Sequence, residues 1–142
     1  KLVTKLKRRG RKIARETGRE YLIVDGSPGI GCPIISSISG ASAIVIVAEA
    51  TMSGLHDMER VFKVAKKFQV DSMLLINRYD LNDKVSFQME NFARLNNIKI
   101  VGKVMYDERF YKSLVQGKTP VEYSDELKKE IGKIWRNIKS AV

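Results

Sequence analysis

The sequence predicts an α/β domain in which a parallel sheet of about four strands is covered by helices. Three observations predict it. Short runs of mainly apolar residues, typical of strands buried on both faces, occur at residues 21–25, 43–48, 73–76 and 98–101. Segments with helical spacing separate these runs, as in βαβ units. Polar and glycine residues follow the runs directly, at the carboxyl edge where open α/β sheets bind ligands.

Helices are expected in the segments between and around these strands. The predicted spans are 1–17, 34–39, 54–68, 84–96, 108–117 and 124–140. In the first helix, the apolar residues Leu2, Val3, Leu6, Ile13 and Ala14 form a narrow stripe between basic residues. Ser53 and Ser124 precede two of the helices and are the expected N-caps.

Length and composition indicate one soluble domain. The chain has 142 residues, 44% of them apolar and 30% charged, and no apolar run approaches the ~20 residues of a membrane span. A single cysteine excludes an internal disulfide and favours a cytoplasmic setting. The first residue is not Met and the chain opens in a helical pattern, so we expect a fragment of a longer protein.

The net charge of +10 is compatible with a polyanion or an anionic membrane surface as partner. The basic run at residues 5–12 is suited to phosphates, and the amphipathic helix 124–140 to a membrane surface. The alternatives are a solvated basic face for the first helix and packing on the sheet for the second.

Asp25 follows the apolar run 21–25 and opens a glycine-rich loop. An aspartate at such a position can hold Mg²⁺ through water or orient a water for attack on a phosphate. The alternative is an aspartate that initiates a turn or caps a helix.

Asn77 and Asp80 follow the third apolar run. An amide offers a donor and an acceptor to a purine edge, and a carboxylate accepts from exocyclic N–H groups. Both residue types are also common turn formers. Cys32 is either a redox or cluster ligand or a small buried residue, and His56 has no partner of the kind a zinc site or a triad needs.

Three motifs occur in register along the chain, namely Ile23-Val24-Asp25-Gly26-Ser27-Pro28-Gly29-Ile30-Gly31-Cys32-Pro33, Glu49-Ala50-Thr51-Met52-Ser53-Gly54-Leu55-His56-Asp57 and Ile76-Asn77-Arg78-Tyr79-Asp80-Leu81-Asn82. Together they resemble the MinD/ParA/Mrp group of P-loop ATPases. Within that group, the chain looks closest to the MinD-like ATPases that carry an inserted ferredoxin segment. The resemblance covers roughly residues 1–123 and implies a P-loop NTPase fold of the SIMIBI type.

The resemblance implies roles for individual residues. Asp25 would be the Walker B aspartate near Mg²⁺, and Gly29 would offer its N–H to the γ-phosphate. Asn77 would read adenine, with Asp80 in the same motif, and the loop Met105-Tyr106-Asp107-Glu108 would close over the base and ribose. Asn77-Arg78-Tyr79-Asp80 also resembles the guanine-reading motif of GTPases, with Arg in place of Lys, so GTP stays open as the nucleotide. Residues 53–57 would lie near a nucleotide-dependent homodimer interface. Cys32 has the spacing of one cluster ligand of the nitrogenase iron protein, whose second cysteine has no counterpart here.

The sequence departs from the family at the phosphate site, because it contains no Gly-x-x-x-x-Gly-Lys-Ser/Thr pattern. The chain therefore resembles the C-terminal half of such an ATPase, a single partial domain over residues 1–142. The family's P-loop strand would lie between the strands at 21–25 and 43–48. Without it, the sheet must close a gap, stay open or borrow a strand from another chain.

The expected function is that of a parent ATPase that uses Mg-ATP hydrolysis as a dimerisation or conformational switch. The fragment alone is expected to bind ATP weakly or not at all. Two alternatives stay open: an iron–sulfur or electron-transfer protein that uses Cys32 at a dimer interface, and a basic module that binds DNA or a membrane surface.

Overall fold

The structure is a computed structural model that describes residues 2–26 and 32–142, with the backbone alone of Cys32 and Pro33. In this part of the chain the strands are β1 (Ala43–Glu49), β2 (Asp71–Asn77) and β3 (Lys99–Val104). The helices are α1 (Leu2–Glu16), α2 (Cys32–Ile38), α3 (Met52–Lys67), α4 (Asp83–Leu95), α5 (Glu108–Val115), α6 (Pro120–Tyr123) and α7 (Asp125–Lys139). A single 3-10 turn, Tyr79–Leu81, follows β2.

The predicted α/β architecture with a parallel sheet flanked by helices is confirmed. The described strands form one sheet in the order β1-β2-β3, and both pairings are parallel. β1 and β2 stay in register from Ala43 opposite Asp71 to Glu49 opposite Asn77. The pairing of β2 with β3 shifts by one residue at Leu74 and Leu75. All three strands therefore end at the same edge of the sheet.

The prediction of a strand at residues 21–25 is wrong. Residues 21–26 have no regular secondary structure, and Ile23 is 77% exposed. Instead, the Tyr21 ring packs edge-on against Trp135 of α7, with 5.3 Å between the ring centroids. Leu22 lies against Gly10 of α1, where an added Cβ atom would be 3.1 Å from its Cδ1. An apolar run predicts contact with other apolar groups. Here the Trp135 ring of α7 and the backbone of α1 at Gly10 supply that contact in place of a neighbouring strand.

The core lies between the sheet and the pair α3 and α4. Its buried residues come from two strands, two helices and their connections, namely Ile46, Ala48, Ala50, Leu55, Met58, Leu74, Ile76, Val85, Met89, Ala93 and Ile98. Phe62 of α3 and Phe92 of α4 meet edge-to-face at 5.6 Å between centroids. The predicted helical spacing of both helices is thus explained by burial of one face.

Helix α7 packs against β3. Ile134 lies so close to Gly102 that a Cβ atom there would be 2.6 Å from its Cγ1. The Asn137 amide donates to the carbonyl oxygen of Val101 at 2.9 Å, and Leu127 is fully buried. The predicted N-cap is confirmed, since the Ser124 hydroxyl accepts from the backbone N–H of Leu127.

The start of α3 is set by a tight return from β1. The prediction that Ser53 caps α3 is wrong, because Thr51 is the N-cap. The Thr51 hydroxyl accepts a hydrogen bond from the Gly54 N–H at 3.0 Å, and the helix begins at Met52. A Cβ atom at position 54 would lie 2.2 Å from the carbonyl oxygen of Glu49. Only glycine lets the first turn of α3 come so close to the end of β1.

Helix α1 is held by basic side chains and not by its apolar stripe. Leu2, Leu6 and Ile13 of that stripe are 71%, 59% and 48% exposed. Lys7 is buried instead, and its ammonium group donates to the carbonyl oxygens of Ser37 at 2.7 Å and Ser39 at 2.8 Å. Burial, helped by the charge of Arg11, lowers the pKa of Lys7. These bonds satisfy carbonyls at the end of α2, where the helix itself supplies no donors.

We predict that Gly54→Ala lowers the free energy of unfolding by about 3 kcal/mol, because the new methyl group meets a backbone oxygen that cannot move independently. Urea unfolding followed by circular dichroism measures it. The control is Gly132→Ala in α7, where an added Cβ meets only an ordinary 3.6 Å contact with Arg136. That variant should gain about 0.5–1 kcal/mol from helix propensity. Equal effects of the two substitutions would contradict the close approach.

We predict that Lys7→Met lowers the free energy of unfolding by about 2 kcal/mol, because carbonyl oxygens at the end of α2 lose their donor. Arg8→Met is the matched control, since it removes the same charge from an exposed position of the same helix. Its effect should stay within about 0.5 kcal/mol. If both variants unfold at the same urea concentration, Lys7 does not anchor α1.

Candidate functional site

The candidate site lies at the carboxyl edge of the sheet. Glu49 ends β1, Asn77 ends β2 beside it, and Val104 ends β3 opposite Asn77. The backbone N–H of Ala50 donates to the carbonyl oxygen of Asn77 at 3.2 Å, which ties the first two strand ends together. The segments that follow the strands are therefore brought to one edge, as the sequence predicted.

Arg78 connects the ends of all three strands. Its backbone is left-handed, with φ 48° and ψ 48°. Its guanidinium group pairs with Glu49 Oε1 at 2.9 Å and lies over the Tyr106 ring, 5.5 Å from the centroid. Because both side chains of the ion pair are partly exposed, the pair orients Arg78 more than it stabilises the fold.

Asp80 fixes the loop that follows β3. Its Oδ1 accepts a hydrogen bond from the backbone N–H of Tyr106 at 2.7 Å. Next to it, the ring of Tyr79 faces the ammonium group of Lys103 at 4.7 Å, and Lys103 pairs with Glu90 at 2.8 Å. The turn after β2 and the loop after β3 are thus joined by a charged hydrogen bond, one of the stronger kinds.

Asn77 has an available amide. The residue is half-buried, and within residues 2–26 and 32–142 its side chain makes no hydrogen bond. In the loop after β3, Tyr106 is 54% exposed. The edge therefore offers an amide donor, an amide acceptor and an aromatic ring, with the Arg78 guanidinium over that ring.

The predicted binding residues Asp107 and Glu108 have partners within their own chain. Asp107 caps α5 by accepting from the Arg109 N–H, and it also pairs with the Arg109 guanidinium at 2.6 Å. These hydrogen bonds lower the pKa of Asp107. Glu108 pairs with Lys112 at 2.9 Å. Arg109 reaches on to Glu126 at 3.1 Å, so this cluster holds α5 to the start of α7.

Of the predicted phosphate and metal residues, Asp25 and the backbone of Cys32 lie in the described part of the chain. Asp25 is exposed and lies in the segment without a strand. Gly29 lies outside the described residues, as does the side chain of Cys32, whose backbone begins α2. In residues 2–26 and 32–142, no three or more His, Cys, Asp or Glu side chains are placed to hold a metal ion.

The surfaces predicted for partners are placed as follows. The exposed side of α1 carries Lys5, Arg8 and Arg9, whereas in α7 Leu127 is buried and the other large apolar residues are half-buried. Ser53, His56 and Asp57 are exposed on the first turns of α3.

None of the described helices is long and apolar enough to cross a bilayer. A groove at the amino ends of the strands, near Asp71 and Ser140, contains none of the predicted site residues.

Sequence reasoning missed Glu49 and Arg78 as members of the site, and it assigned Tyr106 only as part of the loop 105–108 expected to close over the base. A signal for the first two was present, because an acid follows one apolar run and an arginine follows the next. Parallel pairing in register brings such residues to one edge. The contact of Arg78 with Tyr106 had no comparable signal, since it depends on the path of the loop after β3.

Comparison with known proteins finds distant relatives without an assigned activity. The sequence matches no protein-family model. It is 29% identical over 126 residues to the uncharacterized protein MJ0579 of Methanocaldococcus jannaschii, a match that covers 83% of this chain and 42% of the relative. Uncharacterized protein MJ0578 of the same organism is 29% identical over 83 residues, or 58% of this chain and 29% of the relative. The chain thus spans less than half the length of these relatives.

We predict that acid weakens the packing of α5 and α6 on α7. Hydrogen bonds from Arg109 lower the pKa of Asp107, those from Ser124 lower that of Glu126, and those from Thr119 lower that of Glu122. Carboxyls with lowered pKa values stabilise the fold above their ordinary values of 3.8 and 4.5. This stability is lost as the pH falls through the lowered values.

The measurement is the urea midpoint between about pH 7 and about pH 3. Arg109→Met should reduce the change in midpoint, because Asp107 and Glu126 then lose a partner. Arg94→Met is the control, since Arg94 bonds the neutral Asn91, and it should keep the full change. A pH dependence that is the same in both variants would contradict the assignment.

Proposed function

We propose that this chain carries the base-binding part of an ATP site in a P-loop ATPase of the MinD/ParA/Mrp type. The observation that carries the proposal is the hydrogen bond from the Tyr106 N–H to Asp80. It joins the two segments that the resemblance assigns to the nucleotide base, the turn after β2 and the loop after β3. Nothing but tertiary structure links them, since they are 26 residues apart.

The contacts of three residues support the roles proposed for them. Asn77 reads the purine edge, because its amide makes no hydrogen bond among the described residues. Asp80 positions the loop, because one of its carboxylate oxygens is already used by the Tyr106 N–H. Tyr106, backed by Arg78, offers a planar surface on which a base stacks.

The proposal for this chain does not extend to the phosphates of the nucleotide. The sequence has no Gly-x-x-x-x-Gly-Lys-Ser/Thr loop, so the groups that grip the β- and γ-phosphates in P-loop enzymes are absent from it. Asp25 and Gly29 keep their proposed roles near Mg²⁺ and the γ-phosphate only in a complete site. Hydrolysis and the switch that it drives are therefore proposed for a whole protein of the length of the relatives, of which this chain matches less than half.

This proposal predicts that the chain binds adenosine about as well as Mg-ATP, because the base supplies the contacts in both. Each dissociation constant should be about 1 mM or weaker, which corresponds to about −4 kcal/mol. Saturation-transfer NMR with adenosine, guanosine and Mg-ATP measures the binding. We expect signals from adenosine and Mg-ATP, and a weaker signal from guanosine.

Asn77→Ala should remove the adenosine signal. Asn91→Ala is the matched control, because Asn91 is also half-buried but lies on α4 and bonds Arg94. Two results would overturn the proposal: micromolar binding of Mg-ATP to this polypeptide in calorimetry, or an adenosine signal that Asn77→Ala leaves unchanged.

A further inference from the structure

Arg78 has a backbone conformation that its place in the chain does not explain. Among the described residues, three that are not glycine have a positive φ, namely Gln69, Arg78 and Asn97. The first and last lie where α3 and α4 end, and the residue after each donates its N–H to a carbonyl oxygen of the last helical turn, as is common at helix ends. Arg78 instead follows β2, with φ 48° and ψ 48°. Such strained residues concentrate at functional sites.

The side chain of Arg78 lies between two neighbours. Its Nη1 is 2.9 Å from Glu49 Oε1, and its Cζ lies 5.5 Å from the centroid of the Tyr106 ring. The Arg78 and Glu49 side chains are 49% and 38% exposed, and ion pairs as exposed as this contribute little to stability. A gain in stability therefore does not explain the strained backbone. The effect that remains is the position of the guanidinium group over the Tyr106 ring.

Glu49 is a fixed point from which Arg78 is held. It ends β1 in register with Asn77, the residue before Arg78. Its carbonyl oxygen accepts from the Thr51 N–H at 2.7 Å and lies against Gly54 in the first turn of α3. The backbone of Glu49 is thus held both by the sheet and by the return to α3. Its carboxylate, 29 residues before Arg78 in the chain, reaches that residue only through the pairing of the strands.

We infer that Glu49 is a positioning residue of the base site. It holds the Arg78 guanidinium over the Tyr106 ring and thereby keeps the stacking surface in place, without touching the base itself. Ordering of side chains on binding costs free energy, so a surface that protein contacts already hold binds a base more tightly. The inference rests on the proposed function, since a positioning role requires that a base binds at this edge.

A titration with adenosine, followed by saturation-transfer NMR, tests the effect on binding. Adenosine is uncharged, so the loss of one charge in a variant does not alter a general attraction to a chain of net charge +10. Glu49→Gln should weaken adenosine binding about two- to fivefold, which is the size of a cation–π contact at an exposed site. Arg78→Met should weaken it at least as much.

The double variant shows whether Glu49 acts through Arg78. If it does, Glu49→Gln combined with Arg78→Met binds adenosine no more weakly than Arg78→Met alone, because the two residues then act as one unit. Losses of the two single variants that combine in full overturn the inference, since Glu49 then acts on the base or on the fold by another route.

Glu90→Gln is the matched control. Glu90 pairs with Lys103 at 2.8 Å, its side chain is 35% exposed, and the Lys103 ammonium group lies over the ring of Tyr79. The same three kinds of group are therefore present, but the ring of Tyr79 packs against the core and is not part of the stacking surface. This variant should bind adenosine as the unmodified chain does. An equal loss of affinity in Glu90→Gln overturns the inference.

NMR spectra recorded without adenosine give a readout that does not depend on binding. Glu49→Gln should shift the signals of the Tyr106 ring and of the Arg78 Nε–H group, while its urea midpoint stays close to that of the unmodified chain. Glu90→Gln should shift neither signal. Unchanged Tyr106 signals in Glu49→Gln, with or without a fall in the urea midpoint, overturn the inference.

The inference and the proposed function fail in different ways. If the unmodified chain gives no adenosine signal, the proposed function is overturned, and the inference with it. If the unmodified chain binds adenosine and Glu49→Gln binds it equally well, only the inference is overturned, and Asn77 keeps its proposed role.

Discussion

The return of the chain from β1 to α3 is the constraint on which the described structure depends. Gly54 lies against the carbonyl oxygen of Glu49, and the Thr51 N–H donates to that same oxygen at 2.7 Å. Because the return is so short, Leu55 and Met58 enter the core directly beneath the sheet. The same return leaves the Ala50 N–H free to bond Asn77. The hydrophobic core and the candidate site therefore both depend on this one turn between β1 and α3.

The sequence predicted β1, β2 and β3 because each contains a mainly apolar run with a strong local signal. The run for β3 was placed at 98–101, whereas the strand covers Lys99–Val104. The predicted strand ended too early because Lys103 is charged. In the structure its ammonium group reaches Tyr79 and Glu90 outside the sheet. α3 and α4 were predicted within two residues at each end, since their apolar spacing reflects burial on one face.

Prediction from sequence failed where a pattern indicates that side chains are buried but not which residues they contact. Residues 21–25 have the composition of a strand, yet Tyr21 and Leu22 contact Trp135 and Gly10 of two helices. In α1, a lysine is buried while leucines are exposed, because the carbonyl oxygens at the end of α2 require donors. No periodicity of the sequence contains that information. The location of Asn77 and Asp80 was predictable, but the pairing of Arg78 with Glu49 follows only from the register of β1 and β2.

Glu49 connects β1 with the candidate site. Its Oε1 pairs with the Arg78 guanidinium, which lies over the Tyr106 ring. The surface on which a base is proposed to stack is therefore fixed by the end of a strand that contributes none of the residues assigned to the base.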